Sequence, residues 1–215
     1  MAKTWSAEHP KAALLARKRA VIVAAALEAF LEAGYAEASV NRIAAAAGVS
    51  IKTLYRHFES KDELFSAVMQ AACGRTPGQE AQREPPAWYG EPPAEALPRA
   101  GEAYLRHVLS PRQLALYRVV IRDAPRFPEL GRRYHEETTG GRDAVFAGYL
   151  ELWSPREGWV VRDRHGAAQV FAGLLKARIF DEAVLGLGEA WDEAIAGRAR
   201  EAAGHMLLLL RAGRL

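Results

Sequence analysis

With 215 residues, half of them hydrophobic, the chain can bury a sizeable core without staples. A single cysteine, Cys73, excludes an intramolecular disulfide and a cysteine-cluster zinc site, and no apolar run approaches the ~18 residues a membrane span needs. The formal charge of +3 is uneven: residues 1–61 hold nine Lys/Arg against five Asp/Glu, and the remainder holds twenty against twenty-one, the balance of a polyanion-binding module joined to a near-neutral body.

Ala, Leu, Glu and Arg dominate, all good helix formers, so the expected class is all-α. Residues 1–17, with Lys3, His9, Pro10 and Lys11, show no periodicity and read as a basic tail, either solvated or an arm touching phosphate or a minor groove. Arg17-Lys18-Arg19 before an apolar run mimics a signal peptide, but Glu28 and Glu32 cut the run short and the pattern continues as an amphipathic helix over 18–33. Ile22, Ala26, Ala29 and Phe30 form its inner face, and Gly34 is its stop.

Ser39 is the expected N-cap of a second helix, whose Val40, Ile43, Ala44 and Ala47 make one buried stripe. Gly48 allows the tight turn of a helix-turn-helix, and Ser50 caps the third helix. Leu54 and Phe58 point inward from it. Its outer face is Ile51, Lys52, Thr53, Tyr55, Arg56 and His57, with no acid before Glu59. Solvated helix faces usually mix signs, so this face points to DNA. Ser60 with Glu63 forms a capping box for a fourth helix carrying Leu64, Phe65, Val68 and Met69 and running to about Cys73. Cys73 fits a reducing cytoplasm, as a small buried hydrophobe or as a redox sensor.

Residues 74–93 are the main compositional break, with five prolines, and Trp88 and Tyr89 are expected to anchor its far end. Helical patterns resume over 94–109, from Pro111 through Ile121, over 128–153 with Gly140-Gly141 as a weak point, over 165–187 and over 190–212; 154–164 reads as a loop. The helix over 165–187 is apolar on nearly every side. In the last one Ile195, Ala199, Ala202, Met206 and Leu209 make a 4-3-4-3 seam. That seam fits burial within one chain or contact with a second copy; because one side of 165–187 is already needed for the core, a homodimer through the last two helices is the favoured reading.

The stretch Ala47-Gly48-Val49-Ser50, then Thr53-Leu54-Tyr55-Arg56-His57-Phe58 and Ser60-Lys61-Asp62-Glu63-Leu64, resembles the N-terminal domain of the TetR family of transcriptional repressors, and Phe30 with Gly34-Tyr35 matches too. The segment from Leu116 to Leu130 is similar to the C-terminal part of AefR-like regulators of that family. The resemblance implies a cytoplasmic all-α homodimer with a three-helix DNA-binding domain over 18–73, including the connecting fourth helix, and a helical-bundle effector-binding and dimerisation domain over 74–215. It implies third helices in adjacent major grooves and a small molecule that moves the dimer off its operator. Arg42, Ile51 and Lys52 depart from the common pattern, so no operator sequence carries over.

Within this frame the DNA-binding residues are Ser39, Asn41, Arg42, Tyr55, His57 and Lys61, expected to meet phosphates, Ser50, which also caps, Ile51, Lys52 and Thr53, expected to read bases, and Arg56, which does either. The fourth helix is the expected switch. Candidate effector-site residues are Tyr104, His107, Tyr117, Phe127, Tyr134, Phe146, Tyr149, Phe171 and Arg178, the last with Asp181, Glu182 or a ligand carboxylate as partner. An all-α enzyme is the rival, but no nucleophile elbow, phosphate loop or His-Glu-x-x-His occurs and the six histidines are scattered, so no catalysis, cofactor or metal is expected. A second rival is a ligand-independent or nucleoid-associated DNA binder of the same fold.

Overall fold

The computed structural model describes residues 10–72, 84–187 and 191–215, and in them every regular element is helical. Cys73 and the tail before Pro10 lie outside the described residues, as does most of the proline-rich break. None of the described helices is long and apolar enough to cross a membrane. The chain divides into two compact units: the described residues of Met1–Gly78 with Arg118–Glu137, and those of Gln79–Tyr117 with Thr138–Leu215. Residues 118–137, assigned from the sequence to the second region, thus pack with the first.

The first unit holds α1 (Pro10–Glu37), α2 (Val40–Ala46), α3 (Ile51–His57), α4 (Lys61–Ala72), the end of α6 (Pro111–Asp123) and α7 (Pro128–His135). α1 starts earlier than expected. Pro10 suits a first helical position, where its missing N–H has no partner to lose, and Ala13 to Lys18 are exposed, which is why no apolar period announced these turns. Gly34 interrupts α1 as expected, with φ of 79°. A side chain there would also overlap the Arg122 guanidinium.

Behind this break lies an aromatic knot. Phe30, Tyr35 and Phe65 meet with ring centroids 5.4–5.7 Å apart, and Phe127 adds an edge contact to Tyr35 at 5.3 Å. The end of α6 fastens it. The buried Asp123 carboxylate accepts the N–H groups of Tyr35 (2.6 Å) and Ala36 (3.4 Å), which the break at Gly34 leaves without helical partners. Arg122 donates to the same carboxylate at 2.9 Å, and this bond, helped by the two N–H groups, holds Asp123 below the usual carboxylate range despite its burial. Arg133 of α7 donates to Ser66, and Gln70 donates to Glu137.

The second unit holds a 3-10 turn (Ala87–Gly90), α5 (Pro93–Val108), the start of α6, α8 (Gly141–Glu157), α9 (Arg164–Lys176), α10 (Ile179–Leu185) and α11 (Trp191–Arg211). Trp88 and Tyr89 do anchor the far end of the break: their rings lie 5.5 and 5.8 Å from that of Tyr149, and Trp153 donates to the Tyr89 carbonyl.

Three expectations change here. The helix expected over 128–153 is α7, a π turn over Glu136–Gly140, and α8, which runs on through Ser154 and Pro155 to Glu157. The continuous helix expected over 165–187 breaks at Ala177–Arg178 with no glycine or proline to signal it. Arg178 takes φ 51° and ψ −52°, and the Ile179 N–H bonds the Ala177 carbonyl at 2.5 Å, a strained γ-turn. Finally, the seam on α11 is used within the subunit. Ile195, Ala199, Ala202 and Met206 are all buried, while Leu209 is only half-buried and Leu210 takes the inner position. A Cβ on Gly101 of α5 would stand 3.2 Å from the Ala199 Cβ, so these small residues bring α5 and α11 together.

Candidate nucleic-acid interface

The helix-turn-helix is fixed locally. Ala47 ends α2, Gly48 takes φ of 65°, and the N–H groups of Gly48 and Val49 return to the carbonyls of Ala45 and Ala44 at 3.0 Å each. That is a Schellman motif, satisfying two carbonyls a helix end otherwise orphans. Three residues on, the Ser50 hydroxyl accepts the Thr53 N–H at 3.1 Å and caps α3. Ser39 takes the corresponding position before α2, but its side chain makes no cap bond. Its hydroxyl is therefore not held by α2's own backbone.

Leu54 and Phe58 lock α3 inward, at 1% and 0% exposure. The opposite face stands clear: Ile51 is 38% exposed and Tyr55 50%, and Lys52 and Arg56 are exposed. For Tyr55 this removes the alternative of a core role. Thr53 is half-buried with its hydroxyl 2.9 Å from that of Ser50, so one oxygen pair serves both cap and surface. Asn41 and Arg42 of α2 are exposed.

Two of the expected phosphate contacts are constrained. Lys61 donates to the Ala36 carbonyl at 3.0 Å and lies 4.8 Å over the Tyr35 ring, so only its remaining N–H groups face outward. Burial lowers its pKa, and Glu37, Asp123 and Asp62 counteract this. Tyr35 donates to Asp62, which ties the start of α4 to the same knot. The His57 Nε2 is buried with no hydrogen-bond partner among the described residues. Desolvation first, then the positive charges of Arg56, Arg19 and Lys18, push the imidazole below its ordinary value and favour its neutral form.

These neighbours were not among the residues expected from the sequence. Arg19 stacks its guanidinium 4.3 Å over the ring of Phe58, the residue that follows α3. The signal was present as the triplet Arg17-Lys18-Arg19, but nothing in the sequence says that the start of α1 lies beside the end of α3.

The effector candidates divide. Phe146, Tyr149 and Phe171 are buried in the second unit as one ring stack, with centroids 6.0 and 5.0 Å apart. The Tyr149 hydroxyl donates to the Glu91 carbonyl at 3.1 Å, and burial raises its pKa. Tyr117 meets Phe180 edge-on at 5.1 Å, and Tyr104 packs at the border of the same core. His107 is exposed, near the end of α5. Phe127 and Tyr134 belong instead to the first unit, where Phe127 is part of the aromatic knot. Arg178 is 87% exposed and pairs with Glu182 at 3.2 Å, so it reaches into solvent.

Comparison with known proteins matches two families to successive parts of the chain. The family described as bacterial regulatory proteins, tetR family, matches residues 22–68, and that described as AefR-like transcriptional repressor, C-terminal domain, matches residues 95–210. The HTH-type transcriptional activator FasR of Mycolicibacterium smegmatis is 47% identical over 53 residues, which span only about a quarter of either protein (25% of this chain, 24% of FasR). Among solved structures, a Mesorhizobium loti protein assigned to the TetR family is similar with a TM-score of 0.72 and 25% identity, covering 91% of this chain and 97% of its own. The Flavonoid-responsive Regulator FrrA is similar with a TM-score of 0.72 and 29% identity, covering 89% and 96%.

Proposed function

The chain belongs to the TetR family of bacterial transcriptional regulators, and from that premise we propose that it is a repressor that binds a palindromic operator as a homodimer and leaves it when a small molecule binds within residues 74–215. The observation that carries the DNA half is α3 itself: a short helix pinned by Leu54 and Phe58 that presents Ile51, Lys52, Tyr55 and Arg56 with no acid among them. Apolar side chains are exposed there because their partner is a base edge or a sugar. In this reading Ile51, Lys52 and Thr53 contact bases, Ser39, Asn41, Arg42, Tyr55 and Lys61 position the backbone, and Arg56 does either. His57 joins the backbone contacts at the end of α3.

The homodimer uses the outer faces of α10 and α11, since the α11 seam is occupied. Leu185, Leu187 and Leu208 are 63–72% exposed, and a Cβ on Gly197 or Gly204 would meet nothing within 4 Å, so that face of α11 is open to a second helix. Two copies imply half-sites about one helical turn, ~34 Å, apart. The effector is apolar and aromatic, matched to Phe146, Tyr149, Phe171, Tyr117 and Tyr104; FrrA, the similar protein responsive to flavonoids, makes flavonoids the first compounds to test. α4, which runs from the reading head toward residue 73, is the element whose position the effector changes.

Repression rests on the AefR-like description of residues 95–210, whereas FasR is an activator. A reporter carrying the selected site upstream of a constitutive promoter separates the two: repression predicts that deleting the gene raises expression, and activation predicts a fall. Titrating the protein–operator complex with flavonoids and other lipophilic aromatics tests the effector. Release by at least one class supports the reading, and equal affinity for many unrelated duplexes with no release by any compound favours the nucleoid-associated alternative.

A further inference from the structure

We propose that the turn Arg17-Lys18 of α1 is a second phosphate-binding edge, which grips the DNA backbone beside the C-terminal end of α3 and contributes affinity without sequence preference. The inference rests on the DNA-binding reading above and adds residues that reading did not include.

The geometry begins at Arg19, whose guanidinium lies flat on Phe58, one residue past α3. That contact fixes the early part of α1 against the end of the recognition helix. Arg17 and Lys18 are the adjoining residues of the same helix, both exposed, and neither has an ion-pair partner among the described residues. Lys18, Arg19 and Arg56 all act on His57, which brings three permanent cations around one corner of the unit. The acid acting on Arg19 is Glu63, and its carboxylate is already engaged by the Glu59 N–H at 2.6 Å. The other acids of the described part of α1 are Glu28, Glu32 and Glu37, the first of them about 13 Å farther along the axis than Arg19 at 1.5 Å per residue. Like charges gathered this closely repel one another, and a polyanion running past α3 is the partner that turns the repulsion into attraction.

The rotation of the helix separates the roles. At 100° per residue Arg19 lies on Phe58 while Lys18 stands about a quarter turn and Arg17 about half a turn from it, so neither is held by that contact. Arg19 then acts as the positioning residue and Lys18 and Arg17 as the contacts.

The test compares wild type with the double variant Arg17→Gln/Lys18→Gln on two duplexes of about three helical turns: one of random sequence and one selected by the protein from a random pool. Each lost phosphate contact reduces the slope of log affinity against log salt by about 0.9. Two residues in both copies of a dimer therefore reduce it by about 3.6, with the same fold-loss on both duplexes and an unchanged thermal melt. The charge-conserving variant Arg17→Lys/Lys18→Arg is expected to keep the wild-type slope. An unchanged slope in the double variant overturns the inference, as does a loss confined to the selected duplex. The exposed Leu14 and Leu15 on the same helix raise a membrane as the competing partner. Binding to phosphatidylserine vesicles that the double variant loses, with its DNA slope unchanged, would also overturn it. If the wild-type protein binds neither duplex, the DNA-binding reading itself fails, an outcome distinct from a silent double variant.

Discussion

The two units are built from the same helix-forming residues but are stabilised in different ways. The first is small and uses polar locks: Asp123 on the N–H groups after Gly34, Tyr35 on Asp62, Lys61 on the Ala36 carbonyl, Ser50 and Ser60 as caps. The second is closed mainly by apolar packing, with α5, α8, α9 and α11 around one core that includes Tyr149, Leu150, Phe171 and Met206. Polar locks need particular residues at particular positions, so they leave motifs in the sequence. Apolar packing accepts many combinations of similar volume, and leaves only periodicity. A reading head must hold α3 in one place, and polar locks do that.

The sharpest way to break that contrast is to cut an equal hole in each unit. Phe65→Ala and Phe171→Ala each remove a buried ring and are expected to cost ~3–5 kcal/mol in urea unfolding. DNA binding should be lost with the first even where the protein remains folded. The second should leave binding measurable and change the response to effector. Equal loss of binding in both would show that the units do not divide the work.

Next in size is the lock itself. Asp123→Ala leaves the buried Tyr35 N–H and the part-buried Ala36 N–H without an acceptor and should cost about 1–3 kcal/mol. Because the folded state holds this carboxylate below its usual range, its contribution is present above the unfolded value near 4 and fades as pH falls through the lowered folded value. Stability measured against pH should therefore drop less in acid for the variant than for wild type. An identical acid profile would remove Asp123 from the account.

At the surface, Lys52→Ala should weaken binding to a selected operator by ~1–3 kcal/mol if Lys52 reads a guanine, with little effect on random DNA. Equal loss on both duplexes would make it a phosphate contact instead. The smallest effect is expected at Ser50→Ala, where loss of the cap costs ~1 kcal/mol of stability and lets the start of α3 fray, which thermal melts and amide exchange would register.

The same contrast explains what the sequence conveyed. Gly34, Gly48, Ser50 and the Ser60–Glu63 pair were legible because each performs a local job that few residue types can do. Glu63 even reaches the Glu59 N–H at 2.6 Å, one residue before the expected partner. Asp123 was not legible, since its partners lie 87 and 88 positions away. The break at Arg178 was invisible because a continuous helix is locally favourable there. The α11 seam was visible as a seam, but periodicity cannot say whether the facing helix belongs to the same chain. Lys18 and Arg19 were plain as charges, and only the fold brings them to His57 and sets Arg19 on Phe58.

The most direct test of the central claim is selection of bound fragments from the source genome by the purified protein, read out at moderate salt. The account predicts enrichment of one palindromic motif with half-sites about one helical turn apart, bound with an affinity that falls steeply as salt rises. Fragments enriched no more than random sequence, or an affinity that does not change with salt, would contradict it.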